Sequence, residues 1–554
     1  MDGPLLVIDR LDERPVVEQI VDAMRDAILT GTLQPGDRVA STRVLAAELG
    51  TARSSVVSAY EQLAGEGYVE LRQGAPTLVA QLGGSATASG GDGEYDGNRG
   101  ESDAGGGRPT AASALRVAPP DASAARANLT AAPAPSTTGT AATTATMANP
   151  SSPRIDLLPG RPSTVRIDER AWRAAWRHAA AAEIPSDDPP RFGEPVLRAA
   201  IAAHVRHARG FACEPDDVIV TAGTSEATAL IGTALGDRLG ARPLIAVEDP
   251  GYPNARRMLA RAGADLVPVE VGEDGLRIDL LRRMPRPADA ILVTPSHQYP
   301  LGGRLPVAAR LELLEHARRT GALVIEDDYD SEFRHVGPPM PTLASLDSTA
   351  ATDDPAATAA TDAGGGRSEG DADGRRENRR VVLVGSFSKI LTPWLRLGYA
   401  VLPRDEALRA AVASVRLESP SPVPGIVQLA VAHLLTTGAL RRHIAATRRD
   451  YAHRRLLVLA ALDGLPGAHL VGLDGGLHAV LRLPSHEAVD AVIGRLDAEG
   501  IAVARLAEYS AVVGDGSPGI VLGYAGVGDR HLADALERIR SAVLSAPTPV
   551  AAVR

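Results

Sequence analysis

The sequence predicts an α/β protein in which a small, mostly helical module precedes a large sheet-based body. Three observations predict it. Apolar residues recur at helical spacing near the N-terminus. A long stretch poor in large apolar residues follows. From residue 154 onward, short apolar runs alternate with amphipathic helical ones. The 554 residues suffice for three or more folded units of ordinary size. A single cysteine, Cys213, excludes an intramolecular disulfide and a multi-cysteine zinc site, and it suits a reducing compartment. No metal centre is expected. No run approaches ~20 uninterrupted apolar residues, so no transmembrane helix or membrane partner is implied. The opening MDGPLLVIDRLDERP lacks a basic-then-apolar signal pattern, and the expected location is the cytoplasm. The net charge of -10 offers no global attraction to nucleic acid, so any such contact must be local. Of the 58 Lys plus Arg residues, one is lysine, Lys389. Codon bias toward arginine explains the shortage, but it does not explain the survivor.

The first unit spans residues 1–80. Val16, Ile20, Val21, Met24, Ile28 and Leu29 mark one helix. Pro35-Gly36-Asp37 is a turn. Ser41 can cap a short helix over Thr42–Leu49 that Gly50 ends. A further helix, about Arg53–Glu66, carries Val56, Val57, Tyr60 and Leu63 on one face and Arg53, Ser54, Ser55 and Ser58 opposite. Tyr68–Arg72 and Thr77–Ala80 alternate like two short strands joined through Gly74. This is the pattern of a winged helix–turn–helix, in which Arg reads guanine and hydroxyls bind phosphate. Arg38, Arg43 and Arg72 can add backbone contacts. Charge favours the plainer alternative of a solvated helical module, because seven Arg face twelve Asp and Glu here. On pattern alone, both readings stand.

Residues 81–153 are dominated by Gly, Ala, Ser, Thr and Pro, with Tyr95 their one aromatic. Such a segment buries too little apolar surface to offset chain entropy, so a disordered linker is expected. The body spans 154–546. Its expected strands are Val218–Thr221, Leu244–Val247, Ala290–Val293, Ala322–Ile325 and Val381–Val384, interleaved with helices as in a largely parallel sheet. Low complexity at 349–378 marks a surface insertion. Beyond about 405, helices and the strands Leu477–Leu483 and Ile520–Tyr524 indicate a smaller α+β unit.

Chemistry concentrates at the ends of these strands. Lys389 follows Val381–Val384 in the run Ser386-Phe387-Ser388-Lys389, and a lysine there can form a Schiff base with an aldehyde cofactor. Ser386 and Ser388 can donate to a phosphate, and Arg396 can clamp it. Gly223, Thr224 and Ser225 lead from a strand into a helix, which makes an anion site. Asp327, after Ala322–Ile325, can hold a pyridine nitrogen protonated, and Tyr329 can bond the ring oxygen. Tyr252 offers an aromatic face. Each motif also has an ordinary reading: a helix start, a solvated loop, a core turn, a surface lysine. Their shared place at strand C-termini, where open sheets bind ligands, favours a site.

The run LQPGDRVASTRVLAAELGTARSSVVSAYEQLAGEGYVELRQGAPTLVA resembles the winged helix–turn–helix of the GntR family. The resemblance implies contacts to double-stranded promoter DNA from Arg43, Arg53, Ser55 and the wing near Gly74. Ala40, Ala52 and Ala75-Pro76 depart from the family's usual residues. Residues 154–545 resemble fold-type I aminotransferases, and TPSHQYPLGG, VIEDDYDSEF and VGSFSKILTPWLRLGYAVLP resemble the MocR-type regulator branch. The resemblance implies a large αβα domain plus the smaller α+β domain, and a head-to-tail homodimer. It also implies pyridoxal 5′-phosphate on Lys389. Asp327 would meet the ring nitrogen, Tyr329 the ring oxygen and Tyr252 the ring face. Thr224, Ser225, Ser386, Ser388 and Arg396 would take the phosphate. Asp327 and Lys389 are 62 positions apart, and without the 30 insertion residues the spacing suits this branch.

Two departures bear on activity. Tyr299 precedes Pro300 where aminotransferases usually carry Asn. Val521 stands near the position where many members place an Arg for the substrate carboxylate, and Tyr252-Pro253-Asn254 lacks the arginine of a GABA-responsive member. Arg256 is the candidate replacement. The implied function is a transcriptional regulator sensing pyridoxal phosphate or an amino-acid-like effector. The alternative is a working aminotransferase with an appended DNA-binding domain.

Overall fold

The computed structural model describes residues 15–29, 33–34, 36–65, 68–70, 76–80, 154–336, 340–350, 379–512, 514 and 516–547. The proposed linker 81–153, most of the insertion 349–378, and the wing residues Arg72 and Gly74 lie outside the described residues.

The N-terminal module contains α1 (Val16–Leu29), α2 (Thr42–Glu48) and α3 (Arg53–Gly65), then β1 (Val69–Glu70) paired antiparallel with β2 (Leu78–Val79). Ser41 caps α2, its hydroxyl accepting from the Val44 N–H at 3.4 Å. Gly50 breaks the chain between α2 and α3 at φ 59°, a left-handed conformation that costs glycine nothing. Ile20, Val21, Met24, Val56, Tyr60 and Leu63 face one another in the core, as the helical periodicity requires. The Tyr60 hydroxyl donates to the Ala40 carbonyl at 2.7 Å and ties α3 to the approach to α2. Val307 of the body closes this core at 1% exposure, with Leu311 and Met340 packed beside it.

The body opens with β3 (Ile155–Asp156). Its large sheet contains β4 (Val218–Thr221), β5 (Leu244–Asp249), β6 (Asp265–Gly272), β7 (Gly275–Leu276), β8 (Ala290–Val293), β9 (Leu323–Asp328), β10 (Val381–Ser386) and β11 (Gly398–Val401). The strand order is β4-β11-β10-β9-β8-β5-β6-β7. Among the described strands, β11 runs antiparallel to both β4 and β10, and β7 to β6, while the other pairs of this sheet are parallel. The strands are buried on both faces beneath helices, which explains why they read as continuous apolar runs rather than alternating ones.

Three strands run further than their apolar runs indicate. β5 continues to Asp249, β9 to Asp328 and β10 to Ser386. In β9 the acidic residues lie inside the sheet, with Asp327 level with Val384 and Asp328 with Gly385. They are tolerated because partners reach them. Glu326 accepts the Leu343 and Ala344 N–H groups, both at 2.9 Å, and Asp328 is paired with Arg209. The smaller unit is an antiparallel sheet, ordered β12 (His469–Val471), β13 (His478–Arg482), β16 (Gly519–Gly523), β15 (Ala504–Arg505). β3 pairs in parallel with β14 (Ile501–Ala502), so the start of the body belongs to this smaller unit.

Candidate functional site

Five chain segments meet around one cavity of about 120 Å³ at the C-terminal ends of β4, β5, β8, β9 and β10. Its walls include Gly223, Thr224, Ser225, Tyr252, Asp327, Tyr329, Ser386, Ser388, Lys389 and Arg396. The body residues singled out from sequence are thus brought together. Thr294, Tyr299 and Pro393 complete the wall.

Lys389 sits just past β10, with its amine donating to the Gly160 carbonyl at 2.7 Å. Burial pulls this amine below its ordinary value. Asp330 and then Asp327 oppose that shift, and Arg396 adds to it. A neutral amine is the nucleophilic form. Asp327, 4% exposed, has one carboxylate oxygen, Oδ1, buried without a hydrogen-bond partner. Its pKa is pushed up to about 8, first by burial and then by Asp328 and Asp330. An unpaired buried carboxylate is costly, and it suits a site that receives a donor from a ligand.

The opposite end of the cavity is an anion cradle. Gly223 adopts φ 87°, and the helix Thr224–Leu239 starts there without a side-chain cap, so its first N–H groups remain available. Gly398 lies beneath, where a Cβ would fall 2.8 Å from the Gly223 Cα. Ser386 Oγ accepts the Ser388 N–H at 3.1 Å. Arg396 donates to the Ala222 carbonyl at 3.2 Å from a left-handed backbone, φ 47°, rare for a residue with a side chain.

The remaining wall is aromatic. Tyr299 meets Tyr252, Tyr329, Tyr509 and His478 edge-on, with ring centroids 5.0–5.8 Å apart. Its hydroxyl lies 3.4 Å from that of Tyr509. Val521 is fully buried in the apolar cluster behind this wall, with Val480 and Tyr509. Arg256 is not on the cavity wall. It donates to the Ser510 carbonyl at 3.1 Å, and burial lowers its pKa.

Sequence reasoning passed over His297 and Asp330. His297 Nδ1 lies 3.0 Å from Asp330 Oδ2 and 3.1 Å from the Tyr329 hydroxyl, which also donates to the His297 carbonyl at 2.9 Å. Tyr329 therefore reaches the cavity with its hydroxyl already engaged. With His478, these residues form a buried group of the kind that can hold a metal ion. The signal was present in SHQYP and DYDSE, but nothing in either run says that they meet.

In the N-terminal module Arg43, Arg53 and Ser54 are exposed and Ser55 is half-buried. Arg53 Nε donates to the Thr42 hydroxyl at 3.4 Å, which brings the starts of α2 and α3 together on one surface.

A helix–turn–helix joined to an α/β body with a lysine at a strand end is the architecture of a class of transcriptional regulators. Residues 16–79 match the model of bacterial regulatory proteins of the gntR family, and residues 167–539 match aminotransferase class I and II. The pyridoxine biosynthesis transcriptional regulator PdxR of Corynebacterium glutamicum is 34% identical over 525 residues, covering 95% of each chain. The probable rhizopine catabolism regulatory protein MocR of Rhizobium meliloti is 31% identical over 98% of this chain and 96% of its own. The α-aminoadipate aminotransferase LysN of Thermus thermophilus, solved with N-(5′-phosphopyridoxyl)-L-leucine, superposes with a TM-score of 0.59 at 25% identity, over 70% of this chain and 92% of its own. The chain belongs to the MocR-type branch of the GntR family, in which a DNA-binding domain is fused to an aminotransferase domain.

Proposed function

We propose that this chain binds pyridoxal 5′-phosphate at Lys389 and regulates transcription in response to it. The observation that carries the reading is the pairing, across one cavity, of the chain's only lysine with the unpartnered Oδ1 of Asp327. A carboxylate oxygen buried without a donor fits a protonated ring nitrogen. The uncapped helix at Gly223, with Ser386, Ser388 and Arg396, fits a phosphate. When bound, the cofactor supplies an aldehyde and an electron-accepting ring. The protein's part is to present the Lys389 amine, whose pKa burial lowers, hold the ring nitrogen's proton at Asp327, cover one ring face with Tyr252 and exclude water.

Arg43, Arg53, Ser54, Ser55, Arg72 and Gly74 are assigned to operator DNA, with α3 in the major groove. A head-to-tail homodimer would read two-fold half-sites from the cytoplasm. Residues 1–80, 81–153 and 154–546 are assigned as the DNA-binding unit, the linker and the cofactor-binding unit. The effector is assigned as pyridoxal phosphate itself. Where the resemblance expects an arginine for an amino acid's carboxylate, the chain has Val521, buried in one cluster with Tyr509 and packed against Tyr299, and an unpaired carboxylate beside such residues would be desolvated at a cost of several kcal/mol. The test is titration of cofactor-free protein on its promoter DNA with pyridoxal phosphate. Operator affinity should change, and a constant affinity sinks the proposal. The alternative of a working aminotransferase draws on the likeness to the 2-aminoadipate transaminase of Thermus thermophilus, 27% identical over 65% of this chain. Turnover of amino acid with 2-oxo acid at ~1 s⁻¹ or faster would favour it.

A further inference from the structure

Three buried side chains from separate segments meet behind the cofactor cavity. His297 follows β8, Asp330 follows β9, and His478 opens β13 of the smaller sheet. They are 3%, 2% and 1% exposed. One nitrogen or carboxylate oxygen from each lies within 4.8 Å of those of the other two. His297 Nδ1 is 3.0 Å from Asp330 Oδ2. Gly476, at φ 72°, keeps the space open, since a Cβ there would overlap both the His297 ring and the Asp330 carboxylate.

The backbone sets how the two rings are used. His478 Nε2 lies 2.9 Å from the Pro300 carbonyl oxygen, and His297 Nε2 lies 3.4 Å from that of Gly472. A carbonyl only accepts, so each Nε2 carries a proton and each ring has Nδ1 left for other partners. In His297 that nitrogen faces a carboxylate oxygen. Two acceptors 3.0 Å apart need a positive centre between them, either a proton or a metal ion. A metal-bound histidine usually donates its other N–H to a carbonyl or carboxylate in just this manner.

We propose that His297, Asp330 and His478 bind a divalent first-row transition-metal ion of the zinc type. Two imidazoles and one carboxylate suit such an ion, whereas magnesium and calcium call for oxygen ligands alone. Two donors on a tetrahedral zinc stand roughly 3.4 Å apart, so about an ångström of side-chain closure completes the set. The Tyr329 hydroxyl, 3.1 Å from His297 Nδ1, is a fourth donor within reach. The ion ties the ends of β8 and β9 to the smaller sheet, behind the Tyr329 wall of the cofactor cavity. The set uses no cysteine, so the chain's single cysteine does not bear on it. Nor does it depend on pyridoxal phosphate, and its failure would leave the cofactor reading untouched.

The test uses full-length protein without a polyhistidine tag, stripped with a chelator and dialysed against Zn²⁺ alone. Bound metal is counted by atomic emission. One zinc per chain should be retained, and the thermal midpoint should rise with zinc. His478→Gln and Asp330→Asn should each weaken binding by at least roughly 10–100-fold, the loss caused by removing even an outer-shell partner. Co²⁺ in place of zinc should give the intense visible bands of a four-coordinate site. Three outcomes overturn the proposal: no retained zinc, zinc retained equally by both variants (an adventitious ion only), or the weak spectrum of hydrated octahedral cobalt. The first would mean that a proton alone bridges His297 and Asp330. If the variants fail to fold, the cobalt spectrum of the native protein decides.

Discussion

The DNA-reading module and the Lys389 cavity are built on opposite principles. Arg53 and Ser54 sit on an exposed helix face, and the elements that place them lie within a few turns of chain: the Ser41 cap, the Gly50 break and the α3 periodicity. Asp327 is buried and Lys389 half-buried, and their neighbours come from far away in sequence. The Lys389 amine is held by Gly160, 229 residues away, and Arg396 by Ala222, 174 residues away. The first site works in water, where charges are screened and each contact contributes modestly. The second works in a low dielectric, where a single unpaired oxygen or buried charge changes proton affinity by units. The contrast shows why one end of this protein can be read as a list of exposed side chains and the other only as an enclosed electrostatic system.

The largest expected effect tests the enclosed system. Lys389→Ala should abolish covalent attachment of pyridoxal phosphate. In the native protein, borohydride reduction should label Lys389 alone among side chains, since no other lysine exists. Mass spectrometry of the reduced, digested protein checks both, and a native protein that takes no label would remove the cavity from the comparison.

Next is pH dependence at Asp327. Its pKa of about 8 in the fold lies above the unfolded value, so between the two the folded state holds a proton that the unfolded state releases. The cofactor-free protein should therefore lose stability as pH rises from about 4 to 8, by a few kcal/mol at most. Asp327→Asn should flatten that part of the curve. Thermal melting of both proteins across this range is the check, and parallel curves would mean that Asp327 is better solvated than its burial implies.

Two smaller effects probe the exposed site. Arg53→Ala should weaken operator binding by about 1–3 kcal/mol while leaving the cofactor absorbance intact. Simultaneous loss of both would show that the two regions are not independent, and gel shift beside spectroscopy separates the cases. Ser41→Ala removes the α2 cap and should lower the stability of the N-terminal module by about 1 kcal/mol, measured by chemical denaturation. The body's transition should not move.

Much of the cavity was legible before any coordinates because strand ends announce themselves: an apolar run stops and polar residues follow. Gly223, Tyr252, Asp327 and Lys389 were all found in this way. The same logic misplaced the end of β9 at Ile325. Alternating burial is absent in a strand covered on both faces, so acidic residues there looked like the beginning of a loop. Glu326 and Asp328 remain in the sheet because of residues that no local pattern reveals: the Leu343 and Ala344 amides and Arg209. His297 and Asp330 escaped for a related reason. Each lies in a recognisable run, but their 3.0 Å approach is a tertiary fact.

The sequence by itself determined the two-part architecture, the helix–turn–helix, the strand–helix alternation and the one residue able to form a Schiff base. These follow from periodicity, caps and side-chain chemistry, which act over a few residues. Tertiary structure alone decided that Asp327 keeps an unpartnered oxygen, that Tyr299 lines the cavity edge-on to Tyr509 with the apolar cluster of Val521 behind it, and that His297 meets Asp330. Those outcomes depend on desolvation and on distances between segments remote in the chain, and both exist only once the body has closed around them.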